Sequence, residues 1–202
     1  VRGHRRDRSG KSRRLRLMPW RVFPWDPQAK AGAPFSPAYV HKAQGGGRFD
    51  LPGRGRQVVY LAETAVHAVA EKLQRFRGQR IERADLRESG RPLALVECTI
   101  AGALGDARIA DLCDPAVLVR HALRPDLLAS SRKAATQAAA AALHDAGYAG
   151  LRWWSALSGD WHTIVLFLDR VAVAAIEYLE PVELTVAHPV VKEASAAIGI
   201  RS

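Results

Sequence analysis

An arginine on a glycine loop, a tyrosine on a strand and a glutamate on a helix follow one another in this chain. The loop is Gly45-Gly46-Gly47-Arg48-Phe49-Asp50, the strand Val58-Val59-Tyr60-Leu61-Ala62-Glu63-Thr64, and the helix opens Ala65-Val66-His67-Ala68-Val69-Ala70-Glu71. Three glycines let the backbone approach a ligand closely, because no Cβ stands in the way. An arginine fork binds two oxygens at once, which suits phosphate or ribose. Tyr60 offers a flat ring for stacking on a base, and a hydroxyl. His67, Glu71 and Arg75 fall at i, i+4 and i+8 on one side of the helix, so Glu71 can point into a cleft. Plainer roles fit the same residues: Arg48 as a solvated loop charge, Tyr60 as core, and Glu71 as an exposed partner of Arg75 worth roughly 0.2–0.5 kcal/mol.

The elements that would position these groups are legible in outline. Residues 57–62 are β-branched and aromatic, as a half-buried strand should be. Thr64 can cap the helix, with Val66, Val69, Ala70 and Leu73 on its inner side. Residues 19–24 alternate as a first strand that carries Arg21 between Pro19 and Pro24. The loop over 26–44 offers Phe35, Tyr39 and His41 as ligand contacts, and residues 77–92 read as charged and irregular. Further strands are expected over 93–100, 109–112, 150–155, 162–168 and 171–176. Helices are expected from Pro115 to about Leu123 and from Ser131 to Ala146, the second with a serine at its start and Gly147 past its end. Its alanines point to close packing on a sheet.

Composition bounds the class. The chain has 202 residues, 48% hydrophobic and 25% charged, which suits one globular domain with a sizeable core. No apolar run approaches membrane-spanning length, so no membrane association is expected. Cys98 and Cys113 share no CxxC spacing and sit in apolar contexts, so they read as reduced, buried thiols, which fits a cytoplasmic protein. The histidines show no ligand spacing, so no metal is expected. The net charge of +10 is concentrated: residues 1–17 carry eight Lys/Arg against Asp7 alone, leaving 22 basic and 19 acidic residues elsewhere. Such a basic run reads as a disordered tail that attracts nucleic acid through phosphate charge, without sequence preference. Residues 18–188 form the expected domain, and 189–202 a tail or short helix.

In combination these segments resemble the RES domain, a family of bacterial toxins named for an Arg, a Glu and a Ser. The matching stretches are Trp20-Arg21-Val22-Phe23, Gly46-Gly47-Arg48-Phe49-Asp50, Val59-Tyr60-Leu61-Ala62 and Ala68-Val69-Ala70-Glu71, then Gly150-Leu151-Arg152-Trp153-Trp154-Ser155 running on to Ile164-Val165-Leu166-Phe167. The likeness spans roughly residues 19 to 170.

The resemblance implies an α+β fold similar to ADP-ribosyltransferases, with a split, mostly antiparallel β core flanked by helices and NAD+ in the cleft. It implies cleavage of the nicotinamide–ribose bond by hydrolysis or phosphorolysis, with ADP-ribosyl transfer to a protein as the alternative. It also implies a partner, a cognate antitoxin of helix-turn-helix type encoded by the adjacent gene. Nucleic acid would then be met through that antitoxin or the basic tail, and a basic nucleic-acid-binding module is the alternative of another class. Catalysis would fall to Glu71, Arg48 and Ser155, and NAD+ binding to Arg21, Arg48, Tyr60, Glu71 and Ser155. Glu63 and Ser158 are rivals for the glutamate and serine roles. The residue types suit the chemistry: nicotinamide departs neutral and needs no general acid, while a carboxylate stabilises the oxocarbenium-like ribose left behind.

Overall fold

The structure is a computed structural model. It describes residues 18–42, 44–55, 57–100, 108–130, 132–171 and 173–201, so the basic run over 1–17 and the expected helix start at Ser131 lie outside the described residues.

Strand β1 (Trp20–Pro24) is antiparallel to β4 (Arg91–Ile100) over five residue pairs, from Trp20↔Glu97 to Pro24↔Leu93. On its other side β1 meets β2 (Val58–Ala62) through a single pair, Trp20↔Ala62. β2 in turn is antiparallel to β7 (His162–Phe167) from Val58↔Phe167 to Ala62↔Thr163. The sheet continues to β6 (Gly150–Trp154) and to β5 (Ile109–Asp111), whose pairing with β6 is parallel. β3 (Arg87–Glu88), β8 (Ile176–Tyr178) and β9 (Val182–Glu183) pair with the outer side of β4. Two well-paired halves are thus joined by one residue pair between β1 and β2. This is the split, mostly antiparallel α+β architecture that the resemblance implies.

Alternation along the strands feeds three apolar clusters. In β2, Val58 turns to one side with Phe49, Leu151 and Phe167, while Val59 and Leu61 turn to the other with Val96 and Ile164. Helix α1 (Ala65–Leu73) is capped by Thr64, whose Oγ1 accepts from His67 N at 3.2 Å. Its apolar side, Val69, Ala70 and Leu73, packs with Leu93 and Leu95 of β4 and with α5 (Pro189–Ile198). Val69 and Leu73, both fully buried, contribute about 1.5–3 kcal/mol each. The segment beyond residue 188 is therefore helix α5, and its Val191, Ala194 and Ile198 share the core of α1. Pro189 at its first position and Gly199 in the left-handed region (φ 73°) just past it frame the element.

Helix α4 (Lys133–Asp145) lays Ala139 and Ala140 against Leu151, Val165 and Phe167, where small side chains let the helix lie close to the sheet. α2 (Pro115–Arg120) and α3 (Pro125–Ala129) cover the same face. Two stretches differ from expectation. The strand expected over 171–176 is a short 3-10 turn, Val173–Ala175, with β8 beginning only at Ile176. The chain turns because Arg170 N and Val171 N both bond Phe167 O, which seats Val171 in the core instead of in a ladder. Residues 77–92, expected to be irregular, hold a 3-10 turn (Arg83–Leu86) and the β3–β4 hairpin. Ser89 (φ 50°) and Gly90 (φ 75°) make the two-residue turn that joins those strands. Cys98 and Cys113 are both free thiols; Cys98 is buried as expected, whereas Cys113, in the turn after β5, is only half-buried.

Candidate active site

Where β1 and β2 part, a cleft of about 720 Å³ opens, a size that takes a drug-sized ligand. Arg21, Arg48, Tyr60, Glu71 and Ser155 all line it, although they come from β1, the glycine loop, β2, α1 and the end of β6.

Glu71 is held from three directions. Ser155 Oγ donates to its Oε1 at 2.6 Å, His67 Nε2 lies 3.1 Å from the same oxygen, and Gln74 Nε2 donates to Oε2 at 3.0 Å. Burial on its own would raise the carboxyl's pKa; the hydrogen bonds from His67, Ser155 and Gln74 outweigh it and hold the group below the ordinary glutamate value. The exposed pairing with Arg75 does not form. Arg75 turns its guanidinium over the Phe76 ring, 4.9 Å from the centroid.

The two arginines are placed by backbone carbonyls. Arg21 donates to Pro37 O at 2.6 Å and to Tyr39 O at 2.7 Å. Arg48 donates to Leu128 O and, at 3.2 Å, to Ser130 O. Its Nε is buried with no partner among the described residues. These acceptors are neutral, so they orient the guanidinium groups without cancelling their charge. Lys133 also lines the cleft, as does Lys72, whose ammonium is ion-paired with Glu88, and Glu71 is the one acid among the described residues that line it. The result is a cationic cleft around one ionised carboxylate, suited to a ligand that is largely anionic and develops positive charge at one point.

Tyr60 presents its ring to the cleft and spends its hydroxyl on the glycine loop. It donates to Asp50 Oδ1 at 2.8 Å and accepts from Phe49 N at 2.9 Å. Burial first, then the bond to the Asp50 carboxylate, pushes its pKa up, so the phenol stays protonated. Asp50 Oδ2 accepts from Gly45 N at 2.6 Å and Gly47 N at 2.8 Å. Gln137 of α4 donates to Gly45 O and Gly47 O at 3.0 and 2.9 Å, closing a brace around the loop that carries Arg48. Gly45 needs its freedom for φ 135°, and a Cβ on Gly47 would collide with the Asp50 carboxylate and the Tyr60 hydroxyl.

The rival residues sit elsewhere. Glu63 accepts from Arg152 at 2.5 and 3.2 Å and lies 3.0 Å from His162 Nδ1, outside the cleft lining. Ser158 closes the β6–β7 turn, its Oγ accepting from Asp160 N at 3.4 Å. Of the loop residues offered as contacts, His41 lines the cleft, Tyr39 contributes its carbonyl to Arg21, and Phe35 stacks under Arg91 at 5.6 Å. Asp50, His67 and Gln137 were assigned no role from the sequence. Asp50 stood in the motif and His67 stood one turn before Glu71, whereas the reach of Gln137 to residues 45 and 47 exists only in the fold. Among the described residues no group of three or more His, Cys, Asp or Glu could hold a metal.

A split antiparallel sheet whose opening gathers arginines, a tyrosine, a serine and a single carboxylate defines the class of protein to which this chain conforms. The chain belongs to the RES domain family, whose domain matches residues 18–187. Among solved structures it is similar in fold to a chain of the M. tuberculosis MbcT–MbcA toxin–antitoxin complex, with a TM-score of 0.62 at 18% identity over 91% of each chain. No curated protein matches it.

Proposed function

We propose that this protein is the toxin of a bacterial toxin–antitoxin pair and acts in the cytoplasm, depleting NAD+ by cleaving the nicotinamide–ribose bond. Membership of the RES family and the fold shared with a chain from a toxin–antitoxin complex support the toxin reading. The observation that carries the chemistry is Glu71, an ionised carboxylate alone among the cations of the cleft. Arg21 and Arg48 take pyrophosphate and ribose oxygens, and the Tyr60 ring stacks on a base. The C–N bond breaks with its electron pair going to the pyridinium nitrogen, so nicotinamide leaves neutral. The ribose carbon gains positive charge as it does, and Glu71 stabilises that charge and accepts hydrogen bonds from the ribose hydroxyls. Water or phosphate then attacks the ribose carbon.

The test is NAD+ turnover by the purified protein, with and without phosphate and with no protein acceptor added. Loss of NAD+ in this mixture supports cleavage over transfer to a protein, and dependence on phosphate identifies phosphorolysis. Inducing the chain alone in bacteria should arrest growth and lower cellular NAD+. Co-expression of the adjacent gene, a helix-turn-helix antitoxin in this reading, should restore growth. A folded protein that leaves NAD+ intact under all conditions overturns the activity.

A further inference from the structure

The imidazole of His67 is wholly buried, in the first turn of α1, although the helix faces an open cleft. Its ring stacks on Trp161 at 5.4 Å with an interplanar angle of 28°, and its Nε2 lies 3.1 Å from Glu71 Oε1. Its Nδ1 is buried with no partner among the described residues. A buried N–H without an acceptor costs more than a bare acceptor lone pair, because the donor loses its strongest interaction with water. The proton therefore belongs on Nε2, where the carboxylate accepts it.

We infer that His67 is a positioning residue: its Nε2–H, together with the Ser155 hydroxyl, occupies Glu71 Oε1 and turns Oε2 toward the ligand. The inference rests on the reading of Glu71 as the group facing the ribose. Oε1 is saturated by donors from the described structure, Ser155 at 2.6 Å and His67 at 3.1 Å. Among the described residues Oε2 accepts a hydrogen bond only from the side chain of Gln74, an exposed residue at the rim of the same cleft, at 3.0 Å. Gln74 Nε2 also donates to Glu71 O at 2.9 Å, so its exposed amide can yield Oε2 to a ribose hydroxyl and keep its backbone acceptor, whereas Ser155 and His67 are fixed. Ser155 Oγ also accepts from Leu157 N at 3.1 Å, and His67 is clamped by Trp161 and by its place in the helix cap. A carboxylate fixed at one oxygen has one orientation to offer, which is how a group becomes pre-organised for charge that appears only in the transition state.

Two variants separate positioning from packing. His67→Gln keeps a donor near the place of Nε2 and loses the aromatic stack; His67→Phe keeps the stack and loses the donor. Positioning predicts that His67→Phe lowers kcat for NAD+ cleavage by roughly ten- to a hundred-fold with KM little changed. His67→Gln should restore most of that loss even where it melts at a lower temperature. A packing role predicts the reverse order, and equal or better kcat in the Phe variant overturns the inference. An independent readout on the unmodified protein is the imidazole tautomer by long-range nitrogen–proton NMR. An Nε2–H imidazole supports the contact; an Nδ1–H imidazole overturns it whatever the variants do, including the case in which both unfold. Should the wild type not turn over NAD+, the functional reading fails by itself, and the tautomer still decides whether His67 donates to Glu71.

Discussion

Ser155 Oγ stands 2.6 Å from Glu71 Oε1, a bond that crosses 84 residues of sequence to tie the end of β6 to the cleft side of α1. Glu71 follows β2 through a single capped turn, and β7, paired with both β2 and β6, holds the two ends in register. A substrate entering where β1 and β2 part meets a carboxylate whose direction the sheet has already set.

The charge of that carboxylate, not its size, should matter most. Glu71→Gln keeps the length and the acceptor oxygen and should lower kcat by roughly 10²–10³-fold, about 2.7–4 kcal/mol, while the protein remains folded. Glu63→Gln removes a carboxylate from the Arg152 and His162 cluster outside the cleft and should leave turnover intact at a cost in stability of about 1 kcal/mol or less. Steady-state NAD+ assays on both variants check the pair, and loss of activity in Glu63→Gln with retention in Glu71→Gln would transfer the role.

The pH dependence follows from the same contacts. Glu71 has its pKa lowered in the folded protein below the ordinary 4.5, against burial, by His67, Ser155 and Gln74. The acid limb of kcat/KM should therefore fall below 4.5, since the ionised form is the active one. Folding stability responds with the same sign. The unfolded chain binds this proton more tightly, so the contribution is complete above the unfolded value and is lost as pH falls through the lower folded one. Thermal melts of wild type and Glu71→Gln should thus differ more at neutral pH than at pH values beneath 4.5.

Arg48 should affect binding before it affects chemistry. Arg48→Ala removes the guanidinium that bridges Leu128 O and Ser130 O and projects into the cleft, so KM for NAD+ should rise roughly ten-fold or more. Arg48→Lys keeps the charge but a single ammonium cannot reproduce the planar fork that spans those carbonyls, and its KM should stay closer to that of Ala than to wild type. Isothermal titration with NAD+ on the Glu71→Gln background isolates this effect from turnover.

Much of the site was legible in local pattern and much of the fold was not. The strand around Tyr60, the Thr64 cap and the glycine loop are short-range features, written in neighbouring residue types. Arg75 was a plausible partner for Glu71 because one face of a helix carries both, yet i,i+4 spacing works in both directions and the contact went to His67. The tertiary contacts were beyond pattern: Ser155 on Glu71, Gln137 on the glycine loop and the arginines on carbonyls of distant turns. So was the split of the sheet, which depends on β1 and β2 sharing only Trp20↔Ala62. The run from Val171 looked like a strand because its residues are apolar; the turn at Phe167 O that buries it leaves no local mark.

The brace around the glycine loop yields a prediction in which two substitutions should not add. Tyr60→Phe keeps the ring in the cleft but strips the hydroxyl that Phe49 N and Asp50 Oδ1 share, leaving both without that partner at a cost of about 1–3 kcal/mol. Gly47→Ala inserts a Cβ into the Asp50 carboxylate and the Tyr60 hydroxyl, so the loop must shift and carry Arg48 with it. Each variant should melt earlier and raise KM for NAD+ while affecting kcat less, because Glu71 is anchored separately on α1. In the double variant one of the two colliding groups is already gone. The combined loss in melting free energy should then fall short of the sum of the single losses, by about 0.5 kcal/mol or more. Additive losses would mean that the Tyr60 hydroxyl is not what fills the space above Gly47, and the account of how Arg48 is held would have to be rebuilt from Asp50 and Gln137 alone.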